Sequence, residues 1–399
     1  MRIKQIALAI FSVSVTGSAL AGGFSLSEQS VSAMGTANAG RASNAQDASV
    51  VYNNPAAMHL LKQAQFTQAV AFIDAQTKIK NATGGIGGGT NEGDIVPHTF
   101  IPSGYFTSGD KGGWAWGVAA YGSYGLKTNH EATYAARYLG DKSSVKVTTI
   151  QPTISYKVND KVSVGFGPTI NKLDAYLSKF GGPAAGQVEL EGDDIGYGFN
   201  VGTHINVSPA TQVGVVYRSK VKYKIDDGTL KAAAIPVTVT ASTGLSTPES
   251  VEVALSHKLN AKTTLHAGST WTRWSRFKEL AVTSTALGNS VEIFNWKDSV
   301  GYSVGVTHAV CDKLELRAGL AYDNSPVAPA DRSVRLPSAD RRVASIGAGY
   351  TLSPTQTIDA SYTYLDEEKA EVRHAAAPAY SADFHNRASV YGLQFTQKF

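Results

Sequence analysis

Long stretches of this chain change character at every residue, and no other feature limits the possible folds so tightly. From Ile195 to Val207 the odd positions are Ile195, Tyr197, Phe199, Val201, Thr203, Ile205 and Val207. The even ones are Gly196, Gly198, Asn200, Gly202, His204 and Asn206. Successive side chains of a strand point to opposite faces, so this is a strand with one greasy face and one small or polar face. Val162, Val164, Phe166 and Ile170 oppose Ser163, Gly165, Gly167 and Thr169 in the same way, and Leu314, Leu316, Ala318, Leu320 and Tyr322 oppose Glu315, Arg317, Gly319 and Ala321. A soluble sandwich accommodates one such strand. Many of them, roughly ten residues each, mark a barrel with lipid outside. Beyond the first twenty residues no stretch approaches about eighteen consecutive apolar residues, which argues against membrane-spanning helices.

Turn signals divide the chain into about fourteen strands, an even number as in bacterial barrels. Their centres fall near Val70, Tyr105, Val118, Thr153, Phe166, Val201, Val215, Val253, Ala267, Val304, Ala318, Gly347, Tyr362 and Leu393. The connectors alternate in length. Asn159-Asp160, Ser208-Pro209-Ala210, Asn260-Ala261 and Ser353-Pro354 are tight, whereas Leu126 to Ser144, Ile225 to Thr247, Asp323 to Asp340 and Asp366 to Phe384 are long. Short turns belong to the periplasmic side and long loops to the outside, so both ends of the barrel are expected in the periplasm. The last strand sets Tyr391, Leu393, Phe395 and Phe399 on one face and ends on an aromatic residue, resembling the signal read by the barrel assembly machinery. The 18 Tyr, 14 Phe, 5 Trp and 39 Gly suit twisted strands with aromatic girdles in a membrane of lipid and lipopolysaccharide.

Ahead of the strands, Arg2 and Lys4, the apolar run Ile6 to Val15 and Ala19-Leu20-Ala21 form a secretory signal over residues 1–21, with a mature chain beginning at Gly22. Residues 22–63 then fail to alternate and end in Asn53-Asn54-Pro55-Ala56-Ala57. Pro55 lacks an N–H and cannot serve a central ladder. The segment therefore reads as a plug, and residues 64–399 as the barrel. Removing Arg2 and Lys4 lowers the formal charge from +4 to +2, which gives no case for nucleic-acid binding. Cys311, the single cysteine, falls in an expected tight turn and can form no internal disulfide.

Some motifs are decoys. Gly301-Tyr302-Ser303-Val304-Gly305 matches a nucleophile elbow, but it lies within alternation, where Ser303 is an ordinary lumen residue and not an exposed serine between strand and helix. Gly84 to Gly89 precedes no helix pattern, as a phosphate loop would, and reads as a flexible outer loop. The nine histidines show no close pair at metal-ligand spacing. Asp193-Asp194 and Asp226-Asp227 sit at loop edges and read as solvated faces. Neither an enzyme, a cofactor nor a metal is expected.

The chain resembles the FadL-type long-chain fatty acid transport family of Gram-negative outer membranes, which also includes uptake channels for aromatic hydrocarbons. Carrying the resemblance near the start are Gly23-Phe24, Met34-Gly35, Ala39-Gly40, Asp47-Ala48-Ser49 and Asn54-Pro55-Ala56. Later come Tyr217-Arg218-Ser219, Trp271 to Phe277, Trp296-Lys297-Asp298-Ser299, Arg317-Ala318-Gly319, Tyr322 to Val327, Arg332-Ser333, Leu336-Pro337, Asp340-Arg341 and Gly347 to Tyr350. The resemblance implies an all-β, antiparallel up-and-down barrel of about 14 strands with an N-terminal hatch inside the lumen. It further implies that outer loops capture a hydrophobic ligand, that Gly22, Gly23 and Phe24 move, and that the ligand leaves sideways through a gap at a kinked third strand. Asn54, Pro55 and Ala56 would sit near that gap and hold the hatch. Glycine interrupting a strand marks a bulge or kink, which makes Tyr121, Gly122 and Ser123 the wall-kink candidates. Lys179 resembles a basic position for the ligand carboxylate. A second such position, just before Trp296, is taken by Glu292 or its neighbours. An aromatic hydrocarbon channel and an open diffusion porin are the rivals, and the latter has no need of a plug. A monomer is expected.

Overall fold

The structure is a computed structural model that describes residues 22–284 and 288–399, so the expected secretory signal lies outside the described residues. Among the described residues nineteen strands follow one another: β1 (Gln65–Gly84), β2 (Thr99–Thr107), β3 (Trp114–Asn129), β4 (Lys142–Lys157), β5 (Val162–Phe180), β6 (Gln187–Ser208), β7 (Thr211–Arg218), β8 (Val221–Ala232), β9 (Ile235–Thr247), β10 (Ser250–Lys258), β11 (Thr263–Thr272), β12 (Glu279–Ser284), β13 (Gly288–Ile293), β14 (Ser299–Cys311), β15 (Leu314–Asp323), β16 (Arg341–Ser353), β17 (Gln356–Glu367), β18 (Ala370–His374) and β19 (Tyr380–Lys398). Fourteen of them close an antiparallel ring in the order β1 to β7, β10, β11, β14 to β17 and β19. The ring is sealed by β1 against β19, from Gln65 opposite Lys398 to Gly84 opposite Tyr380. Each of the fourteen expected strand centres falls in a different wall strand.

Exposure shows which face looks outward. Tyr197 is 72% exposed and His204, on the other face of β6, is 0% exposed. Exposed apolar side chains recur on the same face of neighbouring strands, among them Val164, Phe166 and Ile170 on β5 and Leu316 and Leu320 on β15. Near the tight turns Trp114 packs on Tyr156 (4.5 Å between ring centres) and Trp116 on Phe106 (5.2 Å), the arrangement of an interfacial aromatic girdle.

The remaining five strands belong to the long-loop end. β8 and β9 form a hairpin that continues β6, β12 and β13 form a second that joins β9, and β18 pairs with the upper part of β19. The connector from Ile225 to Thr247, expected as one long loop, is mostly strand. The glycine run from Gly84 is also less free than a flexible loop would be. Gly85 N–H donates to Ala379 O (2.7 Å) and Ile86 N–H to Ala135 O (2.8 Å).

Residues 22–63 lie inside the ring. Gly35 meets Gly347 of β16, Thr36 meets Gly305 of β14 and Gly319 of β15, Gly40 meets His266 of β11, and Pro55 and Ala56 meet Gly165 of β5. Only from within can one short segment touch strands on all sides of a closed ring. A Cβ at the inward-facing Gly202 or Gly214 would collide with Asn54 or with the Ala42 carbonyl, which is why those wall positions carry no side chain. The segment is held by short helices at Val31–Met34 and Val50–Asn53 and a 3-10 turn at Pro55–Leu60. Ser30 and Asn54 cap the first and last of these, and Pro55 opens the 3-10 turn, where no N–H is needed. Val50, Val51, Met58 and Leu61 pack against Tyr105, Ala115 and Ala119 of the wall. Burying each such side chain stabilises by roughly 1.5–3 kcal/mol.

Candidate functional site: two cavities and a break in the wall

An apolar cavity of about 70 Å³ lies under the long loops. Leu126, Val145, Leu173, Leu177, Leu245 and Phe294 are among its walls, with Phe24, Phe277 and Trp296. The Phe24 ring sits 4.9 Å from Trp274, 5.5 Å from Phe277, 5.7 Å from Tyr124 and 5.9 Å from Trp296. Gly23 makes this approach possible. Its φ is +70°, and a Cβ there would come within 2.6 Å of Trp274.

A second cavity of about 210 Å³ lies in the lumen, lined by Gly22, Ser25 and Leu26 together with more polar residues such as Tyr52, Arg218 and Ser303. Phe24 therefore separates an apolar chamber from a wetter one. Ser303 sits in the middle of β14, opposite Gly268 and Ala321, and not on a strand-to-helix turn. Glu28 also lines this chamber, and burial pushes its carboxyl above the usual range despite bonds from Ser27.

The wall beside Phe24 is incomplete. β2 and β3 pair only between Gly104–Thr107 and Gly117–Ala120. Just beyond, the β3–β4 register slips between Gly122 and Tyr124, so Ser123 is an extra residue that bends the strand. Tyr121 and Gly122 lie immediately before this bulge. The N-terminal segment takes over the unpaired edge. Leu26 N–H donates to Ser123 O (3.1 Å), and Gly125 N–H to Phe24 O (2.9 Å). Gln29 Nε2 donates to Gly122 O (2.9 Å), while the Gln29 carbonyl accepts from Tyr105 Oη (2.5 Å) and Ser103 Oγ (3.2 Å) of β2.

Asn54, Pro55 and Ala56 stand elsewhere. Asn54 Nδ2 donates to Ala42 O (2.6 Å) and Thr203 O (3.1 Å), and Ala56 O accepts from Ser155 and Ser163. These three residues bind β4, β5 and β6, whereas residues 24–29 fill the break. Tyr52 links the two regions by packing on Tyr121 (4.6 Å). Two buried charge clusters fix the rest of the segment: Glu252 binds both Arg41 (2.8 Å) and Arg218 (2.9 Å), and Gln394 joins Asp47 (2.9 Å) to the Arg317–Asp359 pair.

Lys179 shares a strand face with Leu173 and Leu177 of the apolar cavity but lies beyond its lining. The buried cation that does line it is Arg335, which sequence reasoning passed over. Its neighbours Arg332-Ser333 and Leu336-Pro337 stood out as motif, but no periodicity marks a loop arginine as buried. No cluster of His, Cys, Asp and Glu suited to a metal ion occurs among the described residues.

Comparison with known proteins agrees with this fold. Residues 12–399 match the family described as outer membrane protein transport protein (OMPP1/FadL/TodX). The chain is 26% identical over 441 residues to a long-chain fatty acid transport protein of Escherichia coli O6:H1, covering 98% of each. A Pseudomonas aeruginosa FadL homologue superposes with a TM-score of 0.85 at 22% identity, over 95% of this chain and 100% of that one. The Ralstonia pickettii toluene transporter TbuX superposes with 0.66 at 17% identity, over 90% and 95%.

Proposed function

Since this chain belongs to the outer membrane protein transport protein family (OMPP1/FadL/TodX), and so is an outer-membrane channel for hydrophobic substrates, we propose that it imports long-chain fatty acids. The ligand is captured among the long loops and enters the apolar chamber. It then displaces Gly22, Gly23 and Phe24 and leaves sideways between β2 and β3. Residues 22–63 act as the hatch, which Asn54-Pro55-Ala56 and the buried charges hold in place. Short turns and both ends of the barrel face the periplasm. One observation carries the reading: the segment whose Phe24 floors the apolar chamber also stops the break in the wall. Movement there would open both at once.

The full-length likeness to a long-chain fatty acid transport protein favours fatty acids. Compact aromatic hydrocarbons are the second reading, because the chamber is small and almost wholly apolar. Deleting Gly22 to Phe24 should change oleate or toluene uptake by cells at least severalfold while the barrel stays folded and inserted. Unchanged uptake of both would refute gating by this segment.

A further inference from the structure

Six lysines circle the short-turn end of the barrel. Lys111 lies in the β2–β3 turn, Lys161 in the β4–β5 turn and Lys313 in the β14–β15 turn, while Lys258 and Lys262 flank the β10–β11 turn and Lys398 ends β19 beside β1. None of the six forms an ion pair among the described residues, whereas Lys62 and Lys157 at the same end bind Asp110 (3.5 Å) and Asp160 (2.7 Å). Those two aspartates and Asp312 are the acids that the tight turns carry. At the long-loop end the exposed cations Arg387 and Arg342 are instead paired, with Asp366 (3.1 Å) and Glu368 (2.8 Å). Apolar side chains stand beside the lysines. Leu259, next to Lys258, is 54% exposed and Phe399, next to Lys398, is 62% exposed, and the girdle residues Trp114 and Trp116 follow Lys111. Apolar and cationic surface at one level is the pattern of a membrane interface, where lysine stems lie on oily ground and their ammonium groups reach the head groups. Lysine is a point charge without the planar fork of arginine, and it suits a layer of mobile phosphates better than one docked anion.

We propose that this rim gathers a collar of anionic phospholipids, whose phosphates meet the six lysines while their acyl chains meet Leu259, Phe399 and the aromatic girdle. The choice of phospholipid over the phosphates of lipid A rests on the reading that the short turns face the periplasm. The choice of an anionic head group does not. Unpaired lysines occur turn after turn around the ring, so the collar encircles the channel and passes below the break between β2 and β3.

Brominated acyl chains quench tryptophan, and the exposed Trp114 and Trp116 report on lipid at this rim, because Trp274 and Trp296 are buried and a W271F background removes the partly exposed Trp271. Protein in phosphatidylcholine vesicles is titrated with brominated phosphatidylglycerol or brominated phosphatidylcholine. Phosphatidylglycerol should be preferred about threefold or more in dilute buffer, and the preference should vanish near ~0.5 M salt, which screens exposed charge. Replacing all six lysines by glutamine should abolish it, replacing all six by arginine should keep it, and the milder K258Q/K262Q pair should lose part of it. Heat-modifiable gel migration shows that each variant is folded. Equal quenching by the two lipids in the unmodified protein overturns the collar, and so does a preference that the glutamine variants retain. Lipid A that displaces brominated phosphatidylglycerol better than unbrominated phosphatidylglycerol does overturns the choice of phospholipid. The exposed Cys311, two residues before Lys313, tests the orientation separately. A polymer-linked maleimide should leave it unlabelled in intact cells, and labelling there strikes at the periplasmic placement of the short turns and not at the affinity of the rim for anionic head groups.

Discussion

Glu252 accepts from both Arg41 and Arg218, and its side chain is 3% exposed. Removing it would leave two guanidinium groups buried without their counter-ion, an arrangement that costs about 3–5 kcal/mol. Glu252→Ala should therefore loosen the N-terminal segment while the wall ladder persists. Amide exchange at Val50 to Asn53 should accelerate at least a hundredfold, with strand amides little changed. His130, in the loop between β3 and β4, supplies a pH dependence. It stacks on Tyr134 (3.8 Å between ring centres), and burial pushes its pKa down to about 4. The folded loop holds it neutral, whereas an opened loop takes up a proton near pH 6.5. Stability of the loop is thus fully present above about pH 6.5, falls as pH drops toward 4, and then levels off. The loss is roughly 3 kcal/mol. Protection factors at Tyr134 and Ala135, with the intrinsic amide exchange rate at each pH divided out, should fall between pH 6.5 and 4, and His130→Phe should abolish that dependence.

Among the elements, β3 joins sequence to function most directly. Its glycine-containing stretch suggested a kink, and the β3–β4 pair carries one extra residue there. The wall strands were legible because lipid and lumen impose opposite characters on alternate residues, as in β5, β6 and β15. The hairpins β8–β9 and β12–β13 were not. Leu280, Ala281 and Val282 of β12 stand among loops, where no lipid boundary writes a repeating pattern. Arg335 escaped notice for a related reason, since its burial depends on Gly140 and Ser143 from a distant part of the chain. Asn54 was legible as lying outside the wall strands but not by its partners, because sequence does not say which strands face which part of the lumen.

For the whole molecule, a filled lumen sets this barrel apart from an open pore. With residues 22–63 pinned around the ring, sugars should cross poorly, and planar bilayers should show no large, steady single-channel conductance. Glu252→Ala should raise conductance only through brief openings. On the proposed route, ligand leaves through the wall at β3 and not down the lumen. Deleting Ser123 would remove the extra residue, keep the Tyr124–Val147 register and let β3 straighten. The most direct measurement is oleate uptake by cells whose sole channel carries that deletion, set beside oleate binding to the purified variant. Binding should stay within about twofold of the unmodified protein, and uptake should be no higher than in cells without the channel. Undiminished uptake by a folded Ser123 deletion would contradict that route.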